Sequence, residues 1–397
     1  MKNTPISHST WESIRKLVTK EPNISNREIA RKLHIGKDAA AKWRNVLVHP
    51  DTYNLPPAEE HALKRENAQL KQQIKEILDE RIKSDKLAEF SAHLAEYPVK
   101  IPKWAKKAHE NKKDVAIPFA FLSDWHLDEV VFKAQMNGVN EYNRAIAEVR
   151  CNNFFDNTER LAKHFIKGID YNGLYLILGG DIFSGNIHEE LRITNETTII
   201  ESLLYWVNPI ASGIKFLADS FGKVHIPCVV GNHGRLSMKP VAKNRVQDNF
   251  DYLFYNMLAM HLKDDTRITW DISQAADCMI TALDTRILLT HGDQFRGGSG
   301  IAGLLSPLLL GDHRKRKRQT AMNHPYDWMI YGHWHSLVLG VRGLIGNGSL
   351  KGYDEYSMVS NFDYEPPQQA FWLVQPRVGV TGRWPIHVLG ENEDYST

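Results

Sequence analysis

The sequence predicts an α/β protein with a small all-α domain ahead of it. Three observations carry this. From about Lys100 onward, strand-like apolar runs alternate with helical stretches. Five of those runs end in a short polar motif: Ile117 to Leu122, Leu174 to Leu178, Val224 to Val230, Ile287 to Leu289 and Trp328 to Tyr331. The stretch before Pro50 instead spaces its apolar side chains as helices do.

The 397 residues are enough for two or three domains and one sizeable core. Hydrophobic residues at 42% and charged residues at 24% are ordinary for a soluble protein. The net charge of +2 excludes little, because the lysines and arginines cluster locally. The three cysteines, Cys151, Cys228 and Cys278, are far apart and odd in number. That fits free thiols in a reducing cytoplasm and not a disulfide framework. Met1 to Thr10 is polar, and no stretch approaches the roughly 18 apolar residues of a membrane span. The expected location is cytoplasmic, or a host cytoplasm if the protein is viral, with no membrane partner.

The first domain is expected over residues 1–55. Trp11, Ile14 and Val18 share a helical face. Asn23-Ile24-Ser25 offers an N-cap to a helix through Leu33, and a third helix begins near Lys37. Ile35, Ala40 and Trp43 are candidate core residues, and Ala30 lets two helices cross closely. This resembles a helix-turn-helix domain of resolvases and bacterial regulators. The resemblance implies that Lys37, Lys42, Arg44 and Asn45 face outward to reach phosphates and base edges of DNA. The usual turn glycine is His34 here, at a position that wants positive φ. The alternative is a generic three-helix bundle with a basic solvated face.

Residues 56–98 read as a helical linker opened by Pro56-Pro57. Leu63, Leu70 and Ile77 fall seven apart, with Asn67, Ile74 and Arg81 at the complementary position. This is either a short coiled coil that makes a homodimer through residues 63–81 or an amphipathic helix packed on the next domain.

The third domain, 99–397, carries the chemistry. Its motifs are Asp124-Trp125-His126, Gly180-Asp181, Gly231-Asn232-His233, His291-Gly292 and Gly332-His333-Trp334-His335. A residue just past a strand end sits where side chains from several strands converge. Asp, Asn and His donors suit hard-to-borderline metals, and no thiolate belongs to the set. Gly-Asp or Asp-x-His alone is weak; all five in order, each behind a strand, are specific.

Over roughly residues 115–350 the pattern resembles the calcineurin-like metallophosphoesterase superfamily. The resemblance implies two mixed β-sheets packed face to face and flanked by helices, with two divalent metals at one edge. Manganese is the first expectation; zinc, iron(II) and magnesium are the alternatives. It further implies that Asp181 bridges the metals, that Asp124, His126 and His335 complete one site, and that Asn232, His291 and His333 complete the other. A metal-bridging hydroxide would be the nucleophile, and His233 would stabilise the transition state and protonate the leaving oxygen.

Other site candidates come from position. Arg235, two beyond His233, is either a phosphate-binding guanidinium or a surface residue. Asp128 and Asp293 lie beside ligand motifs and could orient ligand imidazoles. The chain departs from the family pattern twice. Gly234 stands where an acid usually follows Asn-His. Ser184 stands where the DNA-repair nuclease branch, SbcD-like, has a histidine, and His188 is the candidate to replace it. The run Arg314-Lys315-Arg316-Lys317-Arg318 is either a solvated loop or a phosphate-contacting flap.

The expected activity is two-metal hydrolysis of DNA phosphodiesters, targeted by the helix-turn-helix, in an arrangement like that of phage phosphoesterases. Two readings compete. One is a phosphomonoesterase or phosphodiesterase of small substrates, tethered by its N-terminal domain. The other is a non-catalytic DNA-binding regulator, which the full ligand set disfavours.

Overall fold

The computed structural model describes residues 8–48, 102, 115–296, 305–390 and 393. The chain divides into two compact units, Met1–Phe90 and Ser91–Thr397. The expected linker helix, with its candidate dimer residues 63–81, lies outside the described residues.

The first unit contains α1 (His8–Lys20), α2 (Asn26–Leu33) and α3 (Lys37–Val48). Ile14, Ile24, Ile29, Ala40 and Trp43 form its core. Ser25 caps α2 through a reciprocal capping box with Glu28. His34 ends the helix at φ 53°, the left-handed turn expected of it. We expect Ser25→Ala to cost about 1 kcal/mol, seen as a several-fold loss of hydrogen-exchange protection across α2. Unchanged protection would mean the cap contributes nothing. Lys37, Lys42 and Asn45 are exposed, as expected. Arg44 is not. Its guanidinium donates to the carbonyls of Ile24 at 2.5 Å and Pro22 at 2.9 Å, so it clamps the α1–α2 turn. Those carbonyls, left unpaired by the turn, are stronger partners for a half-buried guanidinium than solvent is.

The second unit has two mixed sheets. In the first, β1 (Val115–Leu122), β3 (Leu174–Leu178), β4 (Val224–Cys228) and β5 (Ile268–Ile272) run parallel. The two-residue β2 (Asp170–Tyr171) joins β1, and the antiparallel β11 (Gln368–Gln375) and β12 (Gly379–His387) complete the other side. The second sheet runs β6 (Asp277–Ala282), β7 (Thr285–Thr290), β8 (Trp328–Tyr331), β10 (Leu344–Gly346), β9 (Val338–Val341).

Strand β1 is buried on both faces, and its period-two alternation explains the layering. Ile117, Phe119 and Phe121 join Ile280, Ile287 and Ile330 in the core between the sheets. Ala116, Ala120 and Leu122 face a second core shared with α4 (Arg144–Arg160), α6 (Ile199–Phe221) and α7 (Phe250–His261). On the outer face of the second sheet, Leu308 of α8 (Leu305–Ala321) packs with Leu288, Met329 and Phe295. Two short helices, α5 (Glu189–Thr194) and α9 (Glu355–Val359), lie in connecting loops. The three cysteines are free and buried. Among the described residues, no helix is long and apolar enough to cross a membrane.

The basic run overturns an expectation. Residues 314–318 lie inside α8, not in a flap. Lys315 is buried and meets Asp277 at 2.6 Å and Gln294 at 2.7 Å. Arg318 meets Asp277, and Arg316 meets Asp312. Helical rotation of about 100° per residue spreads adjacent cations around the axis, so their repulsion is weaker than the linear sequence implies. Arg314 and Lys317 remain exposed.

Candidate metal centre

The C-terminal ends of parallel strands β1, β3 and β4, and of β7 and β8, carry the five motifs. Backbone bonds then tie the motif loops together. Asp124 N–H donates to the Gly180 carbonyl at 3.0 Å, and Trp125 N–H donates to the Asp181 carbonyl at 2.9 Å. Gly332 N–H donates to the His291 carbonyl at 2.9 Å.

Two loops pass so closely that only glycine fits. A Cβ on Gly180, at φ +91°, would lie 2.3 Å from Gly231 N, and one on Gly231 would lie 2.0 Å from Asp181 Oδ1. Five ligand candidates adopt left-handed backbone: Asp124 (56°), His126 (49°), Asp181 (51°), His333 (68°) and His335 (51°). Such conformations cost roughly 1–3 kcal/mol each and turn consecutive side chains toward one point.

Donor atoms of Asp124, His126 and His335 lie within 4.8 Å of one another, as do those of Asp181, His291 and His333. Asp181 also groups with His126 and His233, so its carboxylate stands between the two clusters. His126 Nε2 and His335 Nε2 face each other at 3.1 Å, and His335 Nε2 lies 3.6 Å from Asp124 Oδ1. Asn232 Oδ1 is buried without a hydrogen-bond partner. A buried amide oxygen in this state calls for a partner, and an ion beside the His291 and His333 donors is one that fits.

Electrostatics agree with this donor set. Burial, reinforced by Lys351 and His233, pushes His126 down to about 4. Burial, reinforced by His291, also pushes His333 down to about 4. Both rings are therefore neutral near pH 7, with a lone pair to offer. Burial opposes charge on His291, but Asp181, 3.0 Å away, outweighs it and raises the ring to about 10. Against its own burial, Asp181 is held well below the carboxylate range by His291 and His233. A bound dication would have to displace the Nε2 proton of His291; with that proton gone, the residues fit two oxygen- and nitrogen-seeking dications sharing the Asp181 carboxylate.

His233 is placed by two bonds. Its N–H donates to Asp181 Oδ1 at 2.7 Å, and its Nδ1 donates to the Ser184 carbonyl at 2.8 Å. A carbonyl only accepts, so the proton sits on Nδ1. Ser184, at the departure from the nuclease pattern, therefore supplies the support that the missing acid would have given. His188 lies alongside, its ring 5.8 Å from that of His233.

Three site expectations are corrected. Asp128 does not orient an imidazole; it pairs with Arg144 at 2.5 Å and accepts from Ser202. The acid beside His126 is the next residue, Glu129, whose Oε2 lies 3.4 Å from His126 Nδ1. Asp293 binds Arg245 at 2.7 Å, while His291 Nδ1 donates to the Gly179 carbonyl at 2.8 Å. Local bends at positive φ aim both aspartates' neighbourhoods away from the imidazoles that sequence proximity suggested. Arg235 offers no free fork. Its donors reach the carbonyls of Asn232, Ser237 and Met238 at 2.9, 3.0 and 3.1 Å, so it shapes its own loop.

Sequence reasoning missed two supports. Asp251 accepts from the backbone N–H groups of Asp181 (2.9 Å), Ile182 (3.2 Å) and Gly231 (2.9 Å). Burial and Asp181 push it up to about 7 despite those bonds. Its signal was the Asn249-x-Asp251 pair opening α7, where Asn249 caps the helix and donates to the Gly231 carbonyl at 2.8 Å. The second support is a buried chain of charges. Lys351 Nζ lies 2.7 Å from Glu129 Oε1 and 2.5 Å from Asp354 Oδ2, and Ser184 Oγ donates to Glu129 Oε2 at 3.2 Å. Glu129 therefore touches both the His126 side and the Ser184 side of the site.

Comparison with solved structures found a single mutant of Vps29 from Entamoeba histolytica, 12% identical, TM-score 0.28, covering 68% of this chain and 98% of that one. Vacuolar Protein Sorting 29 from Cryptosporidium parvum is 11% identical, TM-score 0.28, with the same coverages. A Staphylococcus aureus protein described as a 5′-nucleotidase, in complex with alpha-ketoglutarate, is 11% identical, TM-score 0.34, covering 70% of this chain and 55% of that one. Comparison with curated proteins gave no match. The model of the calcineurin-like phosphoesterase family matches residues 117–367, more than half of the 397, and the chain belongs to that family.

Proposed function

We propose that this metal-dependent phosphoesterase hydrolyses phosphodiester bonds in DNA, and that residues 1–55 bring it there as a helix-turn-helix module. The observation that carries the reading is the separate three-helix unit. Its third helix leaves Lys37, Lys42 and Asn45 exposed, the residue types that hold phosphates and base edges. Kinship with repair nucleases rests here on the metal motifs alone.

When bound, two divalent ions, with manganese as the first candidate, supply Lewis-acid activation of water and neutralise phosphoryl charge. The residues that would hold them are Asp124, His126, His335, Asn232, His291 and His333, with Asp181 shared. The chain's own chemistry centres on His233. With Nδ1–H fixed on the Ser184 carbonyl, Nε2 is the ring atom free to carry a second proton, and as the imidazolium the ring can give that proton to the leaving oxygen. Its N–H on Asp181 keeps the ring in register with the bridging carboxylate.

A smaller substrate is the second reading. It is favoured by the pairing of Lys315, Arg316 and Arg318 with acids, which removes the expected phosphate-binding flap.

Supercoiled plasmid, linear labelled DNA and a chromogenic bis-ester, each with added manganese, separate the two. DNA cleavage that falls by roughly 10²–10⁴ in His233→Ala, and steeply with salt in the wild type, is the expected result. Bis-ester hydrolysis with untouched DNA would overturn it.

A further inference from the structure

The segment after His233 forms a loop whose limbs are fixed and whose crest is bare. Leu236 N–H donates to the Asp248 carbonyl at 3.1 Å, and Phe250 N–H to the Gly234 carbonyl at 2.7 Å, closing its base. Arg235 ties the near limb to the carbonyl of Asn232. Arg245 ties the far limb to Asp293, two residues beyond His291. Both limbs are therefore anchored to segments that carry ligands of the second metal site.

The crest between them has an unusual composition. Leu236, Met238 and Val241 are 45, 63 and 44% exposed, and Lys239 and Lys243 stand exposed among them. No acid lies between Leu236 and Arg245. Among the described residues, neither lysine makes an ion pair. Apolar side chains interleaved with cations and free of acids make a mixed patch suited to a ligand that is both anionic and partly apolar. Closed loops of this kind with bare, well-anchored crests are frequently functional.

We propose that residues 236–244 are a docking crest for one strand of DNA beside the scissile phosphate. This rests on the reading of the site as a DNA phosphodiesterase. The chemistry fits a single strand better than a duplex. The two cations suit flanking phosphates. Leu236, Met238 and Val241 offer apolar contact to unstacked bases, in the way leucine and methionine wedges part base steps. A duplex would first have to unstack a base step to give the same contacts, so a strand that is already unpaired is favoured. A small phosphoester would fill the metal site without reaching the crest.

The test compares the full-length wild type with Leu236→Ser/Met238→Ser and with Lys239→Gln/Lys243→Gln. Substrates are a single-stranded oligonucleotide, its annealed duplex and the bis-ester, with manganese present. Each double variant should lose about ten-fold or more in kcat/KM on the single strand, and keep bis-ester turnover. The lysine variant should also flatten the salt dependence of single-strand binding by about 0.7 per lysine. Wild type that cleaves the single strand alongside variants that cleave it equally well would overturn the crest alone. Equal losses on oligonucleotide and bis-ester would overturn it too, as a distortion of the metal loops. Unchanged cleavage with altered size on gel filtration would assign the crest to a second copy of the chain. Wild type active on the bis-ester and inert on all DNA would overturn both the crest and the function it rests on.

Discussion

Asp181→Asn should reduce hydrolysis by on the order of 10³ or more and lower the metal content measured by elemental analysis. The side chain is 1% exposed and nearly isosteric with asparagine, so the fold should survive. The charge should not be replaceable. Among the described residues, Asp181 is the only carboxylate placed in both a His126 and a His291 grouping. It also accepts the His233 N–H at 2.7 Å and stands 3.0 Å from His291 Nε2. An amide would offer one neutral oxygen and a donor in place of two anionic oxygens, so it cannot present a carboxylate to both clusters. Retained activity with full metal content would place the bridging role elsewhere.

Lys351→Met should cost stability first and metal binding second. Lys351 is 3% exposed, between Glu129 and Asp354. Burial disfavours its charge, but the Asp354 and Glu129 carboxylates more than offset this and hold the ammonium above its ordinary value. Removing it leaves two buried carboxylates facing each other, a loss of about 3–5 kcal/mol and a fall in Tm on the order of 10 °C. Adding Glu129→Gln should recover part of that stability. It should not recover metal affinity, because His126 Nδ1 then faces an amide where it had a carboxylate. A supporting acid of this kind is worth about 10–100-fold in affinity. If Lys351→Met leaves Tm unchanged, the charge chain is not a structural element. If the double variant binds metal as tightly as wild type, Glu129 does not support His126.

The metal motifs were legible because each is a short-range signal. A strand end fixes where the next two or three residues go, so Asp124, Asp181 and Asn232 could be located without knowing their neighbours. The supports were not legible, because they depend on distant segments. Asp251 reaches the Asp181 loop from 70 residues away, and Lys351 reaches Glu129 from 222. The acid beside His126 lies one residue beyond Asp128, the candidate that sequence proximity offers. Asp128 sits at φ 66°, a bend that carries its side chain to Arg144 and Ser202 and leaves Glu129 beside His126. The run 314–318 failed for a related reason. The partner Asp277 lies 38 residues before Lys315, beyond what the local charge pattern encodes. In the first unit, His34 was read correctly because its turn is local, whereas Arg44 bonds to carbonyls 20 and 22 residues earlier.

The left-handed backbone at five candidate ligand positions also sets what this centre can become. Asp, Asn, His and Gly tolerate that conformation, and β-branched or bulky residues do not. The tolerated types other than glycine are themselves metal donors. At these positions, Asp181 excepted, a chance exchange among aspartate, asparagine and histidine would therefore leave the chain path intact and change the charge and softness of the donor set. The loops act as a fixed socket in which metal preference can drift by single substitutions. Most other replacements would add backbone strain of roughly 1–3 kcal/mol as well as removing a donor.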